Sequence, residues 1–318
     1  MKKILITGGS GSVGSAFIKK YYNDYKFYSY CRNEKSQVSL KRRFPNIEII
    51  LGSVEDYPAI MTAVQQTKPD IIIHAAALKH VDTAEKQPQQ AVQANIIGSY
   101  NVIKASKLAD VKVTVGVSTD KACLPYCVYG YTKLIMEKMF IEANTDKNKF
   151  VCCRFGNVAG SHGSVIPFWI TLRDKGEALR ITDPRMTRLM FSQEDAASLI
   201  KKCIDDAKNN SGFTLSKNMK NVNMWDLASL MSKDVEVIGI RPGEKIAEDL
   251  ISEEELPYTK LDGDYIYLMP EINKDISSRL ANPLSSVTAE NMSESEMNDM
   301  LVGVEKLIYE TKIAAGKY

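Results

Sequence analysis

The stretch "ILITGGSGSVGSAF", Ile4 to Phe17, decides the fold. A β-branched apolar run ends at Thr7, glycines follow at Gly8, Gly11 and Gly14, and a helical pattern opens behind them. Glycines set between a strand and a helix read as a phosphate loop, whereas the same glycines elsewhere would be an ordinary turn. Gly8 is expected to allow the tight turn, Gly11 a close backbone approach to a pyrophosphate, and Gly14 close helix packing. The amides of Ser10, Gly11, Ser12 and Val13 would then meet phosphate at the positive end of the helix. A bound dinucleotide is the expectation.

Working outward, short apolar runs alternate with longer helical patterns. Strands are expected at Lys3–Thr7, Lys26–Tyr30, Ile47–Leu51, Ile71–His74, Lys112–Ser118 and Phe150–Cys153. Helices are expected near Gly14–Tyr22, Tyr57–Gln66, Pro88–Lys107 and Tyr129–Asn144. This rhythm implies βαβ units and an α/β, doubly wound parallel sheet of Rossmann type. Beyond about Phe155 the rhythm changes. A glycine- and serine-rich loop leads into a helix at Val165–Lys175, Ser192 is a candidate N-cap with Asp195 behind it, and "NMWDLASLM" reads as another helix. Residues 1–155 are therefore expected to form the cofactor domain. Residues 156–270 would form a smaller α/β substrate-binding region, able to interleave with the first, and 271–318 a tail with a late helix.

Bulk composition excludes several classes. The 318 residues carry a net charge of +2, with 44% hydrophobic and 25% charged residues, as in ordinary soluble proteins. That balance gives no support for a nucleic-acid or membrane-surface protein, and Lys41-Arg42-Arg43 reads as a solvated helix end. The apolar run after "MKK" is shorter than the roughly 7–15 residues of a signal core. No stretch reaches the roughly 18 apolar residues of a membrane span. Six cysteines and three histidines lack zinc spacing, and reduced thiols in the cytoplasm are expected.

At the end of the second strand an NAD site usually carries an acid for the ribose hydroxyls. Here Cys31 and Arg32 stand at that point, followed by Asn33, Glu34 and Lys35. An arginine attracts the extra 2′-phosphate of NADP, so NADP is favoured, while Glu34 keeps NAD open. Ala75, Ala76 and Ala77, after the fourth strand, would let the cofactor lie close, and Lys79 could reach a substrate.

In "STDKACLPYCVYGYTK", Ser118 to Lys133, Tyr129 and Lys133 stand four apart and share a helix face. Tyr22/Lys26 and Tyr100/Lys104 match the same spacing, but only Tyr129/Lys133 follows the fifth strand and opens a helix. Lys133 would hold a nicotinamide ribose, and its charge, with that of the oxidised nicotinamide, would lower the Tyr129 pKa and make a phenolate base. Asn95, in "QANIIGSYNV", matches an NxxG pattern that accompanies such pairs, although a buried structural amide would look the same. Asp120 and Lys121 are surplus to hydride transfer alone.

The TGxxGxxG spacing resembles the short-chain dehydrogenase/reductases. Together with "HAAALKHVD", "STDKA…YGYTK", "RFGNVAGSHGSVIPFW", "ITDPRMTRLMF" and "GIRPGEKIAED", it resembles the inverting UDP-N-acetylglucosamine 4,6-dehydratases, an extended branch that opens routes to pseudaminic acid. The resemblance spans roughly residues 1–270. It implies a tightly bound NADP regenerated each turnover, a UDP-sugar substrate and a homo-oligomer built on a helix-bundle face. It further implies that Tyr129 takes the O4 proton, that Lys121 is the base at C5, and that Asp120, beside Thr119, is the acid for the departing C6 hydroxyl. Lys121 must then be neutral, with its pKa lowered by burial or nearby positive charge. Val158 would lie near the nicotinamide. Asn157, Gly163, Ser164 and Val165 would approach sugar, diphosphate and nucleotide, and Arg241 and Glu244 would hold phosphate and ribose. Three positions depart from the pattern: Ser53, before Val54, where an adenine-contacting Asp is usual; Tyr131 for a small residue; and His162 for an arginine. A retaining dehydratase or an epimerase on a related UDP-sugar is the alternative. The long membrane-attached retaining enzymes, however, carry methionine at the Tyr129 position. A binding protein that only senses NADP is a reading of a different class.

Overall fold

The computed structural model describes residues 1–209 and 212–314. In its first half the chain runs β1 (Lys2–Thr7), α1 (Ser12–Lys20), β2 (Tyr25–Cys31), α2 (Glu34–Arg43), β3 (Glu48–Leu51), α3 (Tyr57–Thr67) and β4 (Ile71–His74). It continues through α4 (Val81–Lys86), α5 (Pro88–Val92), a π turn (Gln93–Ile97), α6 (Gly98–Leu108), β5 (Val113–Val117), α7 (Val128–Ala143) and β6 (Lys149–Cys153). The six strands are parallel and ordered β3-β2-β1-β4-β5-β6. Three strands from beyond residue 155 complete the sheet beside β6: Thr214–Lys217 in parallel, then Tyr265–Leu268 and Thr259–Asp262 antiparallel. The two regions thus share one sheet.

Register explains why the apolar runs are continuous rather than alternating. Phe27, Ile4, Ile71 and Val113 stand in one row and Ile6, Ile73, Val115 and Val151 in another. Central parallel strands are covered on both faces, so both sides are predominantly apolar. On one face α1 packs against the helix Gln193–Asp206, and on the other α3 packs against α6. Ser192 caps the former helix by accepting from the Asp195 amide at 3.0 Å, in a capping box with the Asp195 carboxylate.

The second core gathers Ile166, Trp169, Leu179, Met190 and Leu227 with Leu301 and Val304 of the tail helix Glu294–Ala314. Two elements differ from expectation. Helix α2 was not foreseen, because it buries only Gln37 and Leu40 and shows no apolar stripe; the basic run is its last turn. The single long helix expected at Pro88–Lys107 is broken by the π turn that carries Asn95, a feature that widens a helix locally and recurs at functional sites.

Arg154, at the end of β6, is buried and spends all five N–H groups. They go to the Glu137 carboxylate on α7, the Glu255 carboxylate and the Leu250 carbonyl, at 2.6–3.0 Å. This knot ties α7 to the second region behind the turn that follows β5.

Candidate active site

The strand order reverses between β1 and β4, and open α/β sheets bind ligands in the crevice this creates at the carboxyl ends of their strands. A cavity of about 1240 Å³ lies there. A single drug-sized ligand fills roughly 300–1,000 Å³, so two large ligands can share this space. Buried His74 braces the floor, bonded to Thr7 Oγ1 at 2.7 Å and Ser99 Oγ at 3.0 Å, and burial pulls its pKa down to about 3, leaving it neutral.

At one end is the glycine loop. Gly8 has φ +71°, and a Cβ there would lie 2.8 Å from the Ala76 amide nitrogen. Gly8, Ser10, Gly11, Ser12, Val13 and Gly14 line the cavity together with Ala75, Ala76 and Ala77. Arg32, Ser53 and Val54 line its far side, with Arg32 3.8 Å from Glu55. Asn33, Glu34 and Lys35 are placed differently from expectation. Asn33 Oδ1 caps α2 by accepting from the Ser36 amide at 2.9 Å. The helix start turns Glu34 and Lys35 into solvent, and Ser36, bonded to Ser10 at 2.8 Å, takes the place on the wall.

The centre is built by β5, the 3₁₀ turn Asp120–Ala122 and the first turn of α7. Gly130 makes the junction, since a Cβ there would collide with the Lys121 carbonyl. The turn and Tyr129 can therefore meet. Asp120 is fully buried: its Oδ1 accepts from Thr119 Oγ1 at 2.8 Å, from the Lys121 amide at 2.8 Å and from Lys121 Nζ at 3.2 Å, while its Oδ2 has no partner. Thr119 and Tyr129 line the same cavity beside this turn.

The protein's own groups set two electrostatic balances that differ from expectation. Desolvation pushes the Tyr129 pKa up to about 12 rather than down, and the cation that opposes this most is Lys121. Lys133 is buried, reaches Met136 Sδ at 2.9 Å, and has its own pKa pulled down to about 8 by desolvation. Lys121 was expected to have a lowered pKa. Burial does act downward, but Asp120 and Glu248, each 3.2 Å from Nζ, outweigh it and raise the pKa above that of a free lysine.

Asn95 is buried and clamps the loop after β4. Its Oδ1 accepts from the Leu78 amide at 2.8 Å, and its Nδ2 donates to the Leu78 carbonyl and Thr132 Oγ1, both at 3.0 Å. It orients the wall that carries Lys79.

The other end of the cavity is lined by Lys79, Asn157, Val158, Gly163, Ser164, Val165, Arg241 and Glu244. Gly163 has φ +71° and lies over the His80 ring. Arg241 pairs with Glu244, whose carboxylate pKa is held below the usual range although burial acts the other way. His162 joins the two ends, its Nδ1 2.9 Å from Ser12 Oγ and its amide donating to the same oxygen at 2.8 Å.

Glu248 and Arg188 were missed by sequence reasoning. Both line the cavity and lie inside stretches quoted for the resemblance, but only Glu248's stretch supplied expected site residues, Arg241 and Glu244. Glu248 stands four residues beyond Glu244, and Arg188 donates to the carbonyls of Thr187, Lys245 and Ile246.

Residues 4–269 match the family of polysaccharide biosynthesis proteins. The chain belongs to that family. Among its relatives, the UDP-N-acetylglucosamine 4,6-dehydratase (inverting) of Campylobacter jejuni is 34% identical across 97% of this chain and 96% of that one. A UDP-glucose 4-epimerase of Rickettsia canadensis is 33% identical over 87% and 85% of the two chains. Among solved structures, Pen from Bacillus thuringiensis superposes with a TM-score of 0.87 at 28% identity, covering 96% of this chain and 98% of that one. The Thermus thermophilus UDP-glucose 4-epimerase complex with NAD shares the fold at a TM-score of 0.68 and 16% identity, over 76% and 88% of the chains. Among the described residues of this family member, no helix is long and apolar enough to cross a membrane.

Proposed function

We propose that this protein is a UDP-N-acetylglucosamine 4,6-dehydratase that inverts C5. It would convert its substrate to a UDP-2-acetamido-2,6-dideoxy-L-arabino-4-hexulose. The observation that carries this reading is the meeting of Tyr129 and Lys133 with a buried Asp120–Lys121 pair, 3.2 Å apart, in one cavity.

The glycine cradle, with no space for a side chain between Gly8 and Ala76, fits a dinucleotide backbone. Gly8 to Gly14 would hold its pyrophosphate, Ala75–Ala77 would lie along it, and Arg32, at the exposed tip of β2, favours NADP over NAD. A nicotinamide held there would supply a hydride acceptor and donor, so no net cofactor would be consumed.

The chain's own groups move the protons. Tyr129 takes the proton of O4, and Lys133 orients the ribose beside it. The resting Asp120–Lys121 pair is an ion pair. Moving one proton from Lys121 Nζ to Asp120 across 3.2 Å breaks an N–H bond, makes an O–H bond, and leaves a neutral amine beside a carboxylic acid. The amine then takes the C5 proton, which the C4 ketone has acidified, and the electron pair passes into the C4–C5 enolate. Collapse of the enolate expels the C6 hydroxyl, which leaves as water with the proton of Asp120. Arg241 and Glu244 would hold the diphosphate and ribose of the UDP-sugar, with Asn157 and residues 163–165 nearer the sugar.

The names of the Rickettsia relatives favour a second reading, a UDP-sugar 4-epimerase, which would use Tyr129 and Lys133 and need neither Asp120 nor Lys121. Incubating the protein with UDP-N-acetylglucosamine and catalytic NADP⁺ separates the two. A 4-keto-6-deoxy product by NMR supports the dehydratase, while a 4-epimer that keeps its C6 hydroxyl overturns it. Exposed Ile97, Tyr100, Tyr131 and Ile135, on the π turn, α6 and α7, support a homo-oligomer joined across that face. A Y131E variant sedimenting at the same mass as the wild type would rule that face out.

A further inference from the structure

We infer that Glu248 is a positioning residue of this site, holding Lys121 against the cavity and keeping an anion beside it while the Asp120 proton is in use. Its catalytic consequence rests on the dehydratase reading; its control over Lys121 does not.

Glu248 comes from outside the nucleotide fold. It immediately precedes the short strand Asp249–Ile251, which pairs antiparallel with Leu284–Ser285. Its amide donates to Ser286 Oγ at 3.0 Å, its carbonyl accepts from the Ser286 amide at 2.8 Å, and Ser286 Oγ lies 2.8 Å from Thr187 Oγ1. Both backbone groups of Glu248 are thus held by Ser286. Glu248 is 3% exposed and sets its Oε1 3.2 Å from Lys121 Nζ.

One buried carboxylate is enough to neutralise one buried ammonium. Two sharing one lysine leave a net negative charge in a low-dielectric place, an arrangement with a desolvation cost. Arg188 faces the array and repels Lys121, but its guanidinium is committed to backbone carbonyls and pairs with neither acid. Tyr129 and Cys127 also feel the Lys121 charge. The second acid acquires a purpose once Asp120 accepts the Lys121 proton and becomes neutral. Without Glu248 the amine would then have no anion beside it, and the ammonium that forms when C5–H is broken would be poorly stabilised. With Glu248 present the amine stays a strong enough base to accept that proton.

The test uses the full chain with isotopically labelled lysines and the variants E248Q and E248D. Gln keeps the shape and loses the charge; Asp keeps the charge. In E248Q the Lys121 side-chain resonance, identified by its loss in K121M, should titrate about one to three pH units lower than in wild type, and E248D should recover most of that shift. With UDP-N-acetylglucosamine in heavy water, E248Q should incorporate deuterium at C5 about tenfold more slowly or worse, with KM unchanged. An unmoved Lys121 titration in E248Q overturns the inference, as does an E248D variant as impaired as E248Q. A wild-type protein that turns over no UDP-sugar overturns the dehydratase reading instead, and the lysine titration still decides the role of Glu248.

Discussion

Lys121 and Lys133 open into one cavity and are governed in opposite directions. Lys121 sits on a three-residue turn between two buried carboxylates, 3.2 Å from each, and keeps its proton firmly. Lys133 sits one helical turn beyond Tyr129 with a thioether at 2.9 Å, and burial brings it down to about 8. Burial acts downward on both, so the difference lies in the partners. The helix supplies a lysine that can rest against a ribose. The turn supplies a lysine whose proton can be passed to a neighbour and taken back. On the proposed chemistry, the first device oxidises a sugar and the second removes water from it.

The comparison breaks most visibly if the two devices cannot be disabled separately. Y129F should stop both halves of the reaction, lowering product formation about 10²–10⁴-fold. K121M should leave C4 oxidation intact, visible as absorbance of reduced nicotinamide, while deuterium incorporation at C5 falls about a hundredfold. A K121M variant that still exchanges C5 at the wild-type rate would remove Lys121 from the proton route.

A smaller effect tests the electrostatics without substrate. The folded-state pKa of Lys133, about 8, lies below its ordinary 10.5, so the unfolded chain holds that proton more readily between the two values. The cost of burying the ammonium is thus fully present below about pH 8, and stability should rise as pH climbs from there toward 10.5, by about 3 kcal/mol in all. Lys121 has the opposite sign, contributing stability below 10.5 that is lost only above it. Urea unfolding should show this rise in wild type and a flatter profile in K133M; equal slopes would mean that Lys133 is not the group responsible.

Smallest is the cofactor's phosphate. R32A should weaken NADP binding about tenfold and leave NAD nearly unchanged, as loss of one charge-assisted contact predicts. Equal weakening of both would take Arg32 out of phosphate recognition.

How much of this was legible follows from where each signal resides. The sheet could be read because central parallel strands write their burial as continuous apolar runs, and the nucleotide loop because Gly8 answers a local backbone need. Tyr129 and the Asp120–Lys121 turn were legible because all three lie in one short segment between β5 and α7. Glu248 was not: it reaches Lys121 only through the pairing of Asp249–Ile251 with Leu284–Ser285, which has no local pattern. The charge of Lys121 was misjudged because two acids oppose burial there: Asp120, adjacent in the chain, and Glu248, from a distant element. At the tip of β2, residue types suggested contacts for Glu34 and Lys35 that the cap on Asn33 turns away. The π turn around Asn95 was hidden because its residues suit an ordinary helix.

The central claim is that the Asp120–Lys121 turn converts a transient ketone into loss of water with a change at C5. Its most direct test is NMR of the product formed from UDP-N-acetylglucosamine in heavy water. The expected result is a 4-keto-6-deoxy sugar carrying deuterium at C5 in the L-arabino configuration. A product of D configuration, or one that keeps its C6 hydroxyl, would contradict it.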